Sequence, residues 1–406
     1  MMYLTLSKRF EFSSSYRYYN PKWSDKKNTE HFGMRCGGFH GYGSNFVTYF
    51  IFHGDVDPKT GMIINVTIIK EKINNILNSR YDHKFLNLDT KPFDEIVPTP
   101  ENMAKQLLAE AVPLFKNEQA MPVACHVVES ENNEATAYAD GRVERHLWTS
   151  FSAARSTRSP HLSDEENEKL FGTASSKSGH GHGYRLRVTL GGEIDPDSGL
   201  IVPDNLSHPV IKSIYDLMDH KNLNLDVLEL KNIPITTECL SRFIFNKLSD
   251  SLPVNRLCLW ENPWFFAEYA KNDHCAIGVV DHFQSAHRLH SRQLSDKENI
   301  AIYGKCNNPN GHGHRYKIEP TIKGKIDEKS GTLFSLDKFV FGIKTALKQW
   351  DFKHLDLDTD DFKNEVSTGE NIIKILFPKI EKYIEHEIDR LRLWETFNNR
   401  FTLRRL

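Results

Sequence analysis

Three times along the chain, apolar positions switch from a period of two to a period near 3.6 and back again, in the same order. Alternating stretches such as Tyr184 to Leu190 read as half-buried strands, and a run of Asp, Pro and Gly that suits a turn follows them. Val210, Ile211, Ile214, Leu217 and Met218 then recur at helical spacing and stop at Asp219-His220. A second helix opens on Thr99-Pro100-Glu101, Thr237-Glu238 or Thr368-Gly369-Glu370, where a hydroxyl cap and an early acid suit the free N-terminal amides. Each closing strand carries a glutamate: Val127-Val128-Glu129, Leu259-Trp260-Glu261, Leu393-Trp394-Glu395. Two strands, two helices and two strands predict an antiparallel sheet with its helices on one face, an α+β unit.

The repetition extends to particular residues. Asp82-His83-Lys84, Asp219-His220-Lys221 and Asp351-Phe352-Lys353 lie about 135 residues apart, and a Leu/Asp run follows each. The turns Gly54 to Gly61, Gly192 to Gly199 and Gly324 to Gly331 recur at the same interval. Three homologous domains follow, at 1-140, 141-273 and 274-406. A lone sheet of this kind exposes both edges, so three units joined edge to edge are expected to close a twelve-stranded barrel.

Composition narrows the function. The 406 residues carry a formal net charge of −2, which gives no global field for nucleic acid or an anionic membrane. No apolar run reaches membrane-spanning length and the first residues lack a signal-like core, so a cytoplasmic protein is expected, with no nucleic-acid or membrane partner. Six cysteines without framework spacing suit reduced thiols.

Candidate chemistry gathers in the third repeat. His312 and His314, two apart on an entering strand, point to one face, and His287 on the preceding strand can complete a three-imidazole set. Three neutral imidazoles leave zinc an open position, the pattern of a catalytic site, and no Cys-x-x-Cys offers a structural knuckle. Cys306, on an Asn/Pro/Gly loop just ahead, can fold back as base or nucleophile. Aligned on the downstream turn, the second repeat shows Ala154, Ala174, His180 and His182 at these places, and the first shows Tyr16, Cys36, Tyr42 and Ser44. One zinc per chain is the expectation. The Asp-His pair shows the opposite pattern, present as Asp82-His83 and Asp219-His220 but replaced by Asp351-Phe352 in the repeat with the histidines. A site shared between domains reconciles the two losses.

These motifs closely resemble the 6-pyruvoyl-tetrahydropterin synthase family, three times over. Ser285-Ala286-His287-Arg288 and Tyr303 to His314 carry its signature, with Met218-Asp219-His220-Lys221-Asn222-Leu223 and Thr236-Thr237-Glu238 in the second repeat. The resemblance implies the tunnelling fold, with rings stacked face to face, and hence a homodimer of pseudo-trimeric rings. It implies Zn2+ on His287, His312 and His314, and Cys306 as a thiolate base activated by Asp219-His220 or Asp82-His83. It further implies Glu395 at the pterin ring, with Glu370, Glu261 and Glu129 as further pterin-binding acids. The substrate would be 7,8-dihydroneopterin triphosphate, which would lose triphosphate, with Mg2+ accompanying the phosphates and Arg288, Lys305 or Lys353 meeting them. The second repeat's Asp-His motif lies closer to the family pattern, which favours it as the donor. Five residues between Cys306 and His312 match the pyruvoyl branch. The alternatives are 6-carboxy-tetrahydropterin synthase of the queuosine pathway, with a shorter spacing, and a weakly catalytic pterin-binding scaffold.

Overall fold

Alternation along the strands becomes a division between two faces of one sheet. In the computed structural model, which describes Met1 to Leu406, the first repeat contributes β1 (Met2–Tyr16), β2 (Tyr42–Gly54), α1 (Val66–Arg80), α2 (Pro100–Ala111), β3 (Ala120–Ser130) and β4 (Asn133–Tyr138). The second gives β5 (Val143–Arg155), β6 (His180–Gly191), α3 (Asp204–Met218), α4 (Thr237–Ser249), β7 (Val254–Asn262) and β8 (Phe265–Ala270). In the third, β9 runs His274–Val279 and resumes as Asp281–His287, followed by β10 (His312–Gly324), α5 (Leu336–Leu347), α6 (Gly369–Ile384), β11 (Arg390–Thr396) and β12 (Asn399–Arg405).

Every strand pairs antiparallel with the next in sequence, and β12 returns to β1 with Met2 opposite Arg405 and Lys8 opposite Asn399. The result is the expected closed barrel of twelve strands. Closure removes the edges that each unit alone would expose. Leu4, Leu6, Phe10 and Phe12 of β1 face outward and pack with Ile69, Ile73 and Leu77 of α1 in a core of 58 buried residues drawn mainly from the first and third repeats. The second repeat has its own core of 27. The opposite face lines the lumen and is polar: Arg390 pairs with Glu268 at 3.0 Å and Arg392 with Glu319 at 2.6 Å.

Helix starts follow the hydroxyl rule, with one shift. Thr99 and Thr368 cap α2 and α6 through the N–H of Asn102 and Asn371. In the second repeat the cap is Thr236, accepting from Cys239 at 3.2 Å, so Thr237 is the first helical residue rather than the cap.

The repeats lock together at those same caps. Thr99 Oγ1 donates to Gly199 O at 2.6 Å, Thr236 Oγ1 to Gly331 O at 2.5 Å, and Thr368 Oγ1 to Gly61 O at 2.6 Å. Each helix start thus grips the turn of the next repeat, and the third grips the first. Gly61 has φ 71°, and a Cβ there would sit 2.9 Å from Asn371 Nδ2, so both backbone and space call for glycine.

Candidate active site

The pairing of β9 with β10 sets His287 opposite His312 and Ser285 opposite His314, so the three imidazoles share the outward face. One nitrogen from each lies within 4.8 Å of the others. His287 is fully buried, and its Nδ1 lies 2.8 Å from the Ser367 carbonyl, a contact that requires Nδ1–H. Its Nε2 is therefore a bare lone pair, 3.2 Å from His312 Nε2. Burial pushes His287 down to about 4 and lowers His312 as well, so both rings are neutral and able to ligate. His312 Nδ1 is buried without a partner. Converging imidazole nitrogens, one oriented by a backbone carbonyl, suit a borderline-soft cation such as zinc and leave it a free position.

Two carboxyl groups flank this centre. Glu395 on β11 places Oε1 4.0 Å from His287 Nε2. Glu370, in the first turn of α6, is fully buried and accepts the N–H of Ile63 from the first repeat at 3.1 Å. Burial pushes its carboxyl up to about 7. Tyr303 reaches the same turn, donating to Thr60 O at 2.8 Å. The first repeat's turn therefore borders the third repeat's site, and the second repeat's turn does not.

Cys306 sits in the one-turn helix Gly304–Asn307, its carbonyl accepting from Leu289 N at 3.0 Å. It is half-buried, and burial, then the negative Glu395, raise its thiol pKa while Lys305 lowers it. In the chain alone it is a thiol, and a nearby cation is what would convert it. Arg288 spends its guanidinium on this loop, with Nε 3.1 Å from Asn307 O and a terminal nitrogen 3.2 Å from Asn307 Oδ1. It holds the cysteine loop and does not extend free toward an anion. Lys353 pairs with Ser285 through the backbone, in a short parallel strand.

The Asp-His pairs lie elsewhere. Asp82 accepts from Ser13 N at 2.9 Å and from His83 Nδ1 at 2.8 Å; Asp219 accepts from Ser152 N at 2.8 Å and His220 Nδ1 at 2.6 Å. Asp219 is held down at about 2, first by the Ser152 N–H and next by the Tyr215 hydroxyl. Each pair is fixed to its own repeat's entering strand, and neither touches the three histidines. His83, His220 and Phe352 all have φ between 56° and 58°, and all three side chains point into solvent, with His83 83% and His220 82% exposed. A left-handed backbone is unusual for such residues and marks a geometry imposed by the fold.

Strand register corrects the alignment of the other two repeats. β5 pairs with β6 so that Arg155, not Ala154, faces His180, just as His287 faces His312. A one-residue slip moves a side chain to the other face, so Ala154 lies on the opposite side of the sheet. In the first repeat the carbonyl that accepts from Tyr18 N, as Cys306 O accepts from Leu289 N, belongs to Arg35. Cys36 is its neighbour, buried, at the place of Asn307. The first repeat's loop is one residue longer between its turn and β2, an insertion that counting back from Tyr42 cannot detect. The first repeat therefore keeps neither the histidines nor the thiol, and sets Tyr16, Tyr42, Ser44 and Arg35 in their places. Glu129 there accepts from the hydroxyls of Tyr16 at 2.7 Å and Tyr18 at 2.8 Å. Glu261 in the second repeat pairs with Arg155.

Three residues around the centre escaped the sequence reading. Tyr316 lies two beyond His314 on the same strand face, with its hydroxyl 3.5 Å from His287, a position that alternation could have marked. Ser367 and His354 carry no periodic signal; His354 is half-buried, and both its ring nitrogens are buried without a hydrogen-bond partner.

A closed ring of three tunnelling-fold units with one three-histidine centre defines the class. The 6-pyruvoyl tetrahydropterin synthase family matches residues 5–140, 146–272 and 276–405, and the chain belongs to that family. A putative 6-pyruvoyl tetrahydrobiopterin synthase of Caenorhabditis elegans is 40% identical over 125 residues, 30% of this chain and 89% of that protein. The human 6-pyruvoyl tetrahydrobiopterin synthase is 40% identical over 119 residues, 29% of this chain and 82% of the human one. The solved Caenorhabditis elegans 6-pyruvoyl tetrahydropterin synthase, 37% identical, covers 33% of this chain and 96% of its own, with a TM-score of 0.32.

Proposed function

We propose that this protein is a zinc-dependent 6-pyruvoyl-tetrahydropterin synthase that acts on 7,8-dihydroneopterin triphosphate and releases triphosphate, with one working site per chain. The observation that carries the reading is the single set of buried His287 with half-buried His312 and His314, one nitrogen of each within 4.8 Å of the others, with Cys306 and Glu395 beside it. A pterin-binding scaffold would need neither the metal set nor the thiol.

In this reading His287, His312 and His314 would hold the metal, which when bound would supply Lewis-acid polarisation of the substrate's side-chain hydroxyls and so make the adjacent C–H bonds more acidic. Cys306 Sγ takes the proton as a thiolate. Glu395 accepts hydrogen bonds from the aminopyrimidine edge and fixes the ring, and Glu370 supports it from the first repeat's side. The triphosphate, with Mg2+, leaves from the side chain as the internal redox rearrangement proceeds, and no external redox cofactor enters the balance. Glu261 and Glu129 are the corresponding acids of repeats whose sites carry arginine instead.

The acid-base pair is supplied from a second ring. Within one chain neither Asp82-His83 nor Asp219-His220 contacts the centre, yet both imidazoles project into solvent from strained backbone. A face-to-face homodimer would bring one of them to Cys306 of the partner. Incubating the purified protein with zinc, magnesium and dihydroneopterin triphosphate, and identifying the pterin by mass spectrometry, tests the activity. Formation of 6-pyruvoyl-tetrahydropterin is expected; recovery of unchanged substrate would refute it.

A further inference from the structure

The second repeat keeps most of the third repeat's centre. His180 and His182 hold their rings 4.8 Å apart at 89°, and His312 and His314 hold theirs 5.0 Å apart at 83°. Tyr184 stands behind the first pair as Tyr316 stands behind the second, at 5.7 and 5.5 Å. Glu261 Oε1 lies 3.3 Å from His182 Nε2. Two residues differ: Arg155 stands opposite the first histidine in place of His287, and Ala174 takes the place of Cys306.

We propose that the Arg155 guanidinium is the second repeat's built-in substitute for a metal ion, and that His180, His182 and Glu261 around it form a dormant metal site one ligand short of completion. The inference rests on the reading that the third repeat's histidines hold zinc. Arg155 has a side chain only 4% exposed; it bonds Glu261 through one terminal nitrogen and Thr237 Oγ1 at 3.3 Å through the other. A carboxylate so enclosed needs a cation, and where no ion is bound the chain must supply one. A guanidinium does so permanently, since it neither dissociates nor loses its proton at physiological pH.

The first repeat meets the same need by another route. There the cation is Arg35, which occupies the cysteine's place and sets a terminal nitrogen 3.6 Å from Glu129 Oε2. It also stands 3.5 Å from Asp204 of the second repeat. Two arginines arriving from two different positions serve the equivalent glutamate in the two repeats without a histidine triad. This ties their presence to the charge of the glutamate rather than to either loop.

The test compares wild type with Arg155→His, each loaded with zinc alone, stripped of loosely held ion and assayed for metal per chain. One ion in wild type and two in Arg155→His are expected, with cobalt(II) substitution doubling the visible ligand-field absorption. One ion in both would overturn this proposal and leave the third-repeat centre standing; none in either would remove both. Should Arg155→His fail to fold, Arg155→Met, Glu261→Gln and the double variant are compared by thermal unfolding without metal. Each single change is expected to lower Tm, and the double change by clearly less than their sum. Additive losses would show that the guanidinium is not the glutamate's counter-cation.

Discussion

Ile63 of the first repeat donates its backbone N–H to the Glu370 carboxyl of the third at 3.1 Å, across 307 residues of chain. The contact recurs as Ile201 N to Glu101 at 3.3 Å and Leu333 N to Glu238 at 3.2 Å. Each joint of the ring thus buries one glutamate beneath the next repeat's turn.

Burial pushes Glu238 up to about 7, as it does Glu370. Since the folded pKa exceeds the unfolded one near 4.5, the proton is held more tightly in the folded state. The stabilisation is present below pH 4.5 and lost as pH rises through 7, on the order of 3 kcal/mol per group. Glu238→Gln should therefore gain Tm relative to wild type between pH 5 and pH 8. An offset that stays flat over that range would place the glutamate's titration elsewhere.

One tightly bound zinc per chain is expected. His287→Ala, His312→Ala or His314→Ala should each abolish its retention, whereas His180→Ala and His182→Ala leave it unchanged. Metal analysis after dialysis decides, and three ions per wild-type chain would overturn the reading of the first two repeats.

Cys306→Ala should abolish turnover with zinc retained. Cys36→Ala should leave the rate near wild type and lower stability by about 1 kcal/mol, because Cys36 is buried packing beside the loop and not at the thiol's place. Equal kinetic losses would mean that the working site has been misplaced.

Of the two exposed pairs, Asp219-His220 is expected to serve the site. His220→Ala should lower kcat by roughly 100-fold, with His83→Ala mild and Phe352→His without effect. A pair supplied by the partner ring also predicts complementation. Mixed and reassembled Cys306→Ala and His220→Ala chains form heterodimers with one intact site, recovering about a quarter of wild-type activity at random assortment. No recovery on mixing would place both groups in one chain, and a loss confined to His83→Ala would reassign the donor to the first repeat.

Hydrophobic period and repetition determined much of this protein before any fold was known. Val210 to Met218 at helical spacing, the turns ending at Gly61, Gly199 and Gly331, and the unprotected edges of each sheet together led to three units and a closed barrel. His312 and His314 were legible because strand geometry is local: two residues apart means the same face; His287 was legible only as a candidate on the preceding strand, and pairing set it opposite His312. What lay beyond the sequence was whatever depends on pairing across a loop. An extra loop residue moved Arg35 into the cysteine's place and Cys36 out of it, and β-pairing put Arg155 rather than Ala154 opposite His180. Neither change alters composition or period, and only the hydrogen-bond register between strands distinguishes them. The same holds for the joints of the ring, where Ile63 reaches Glu370: nothing near either residue in sequence encodes the other, and barrel closure alone brings them together.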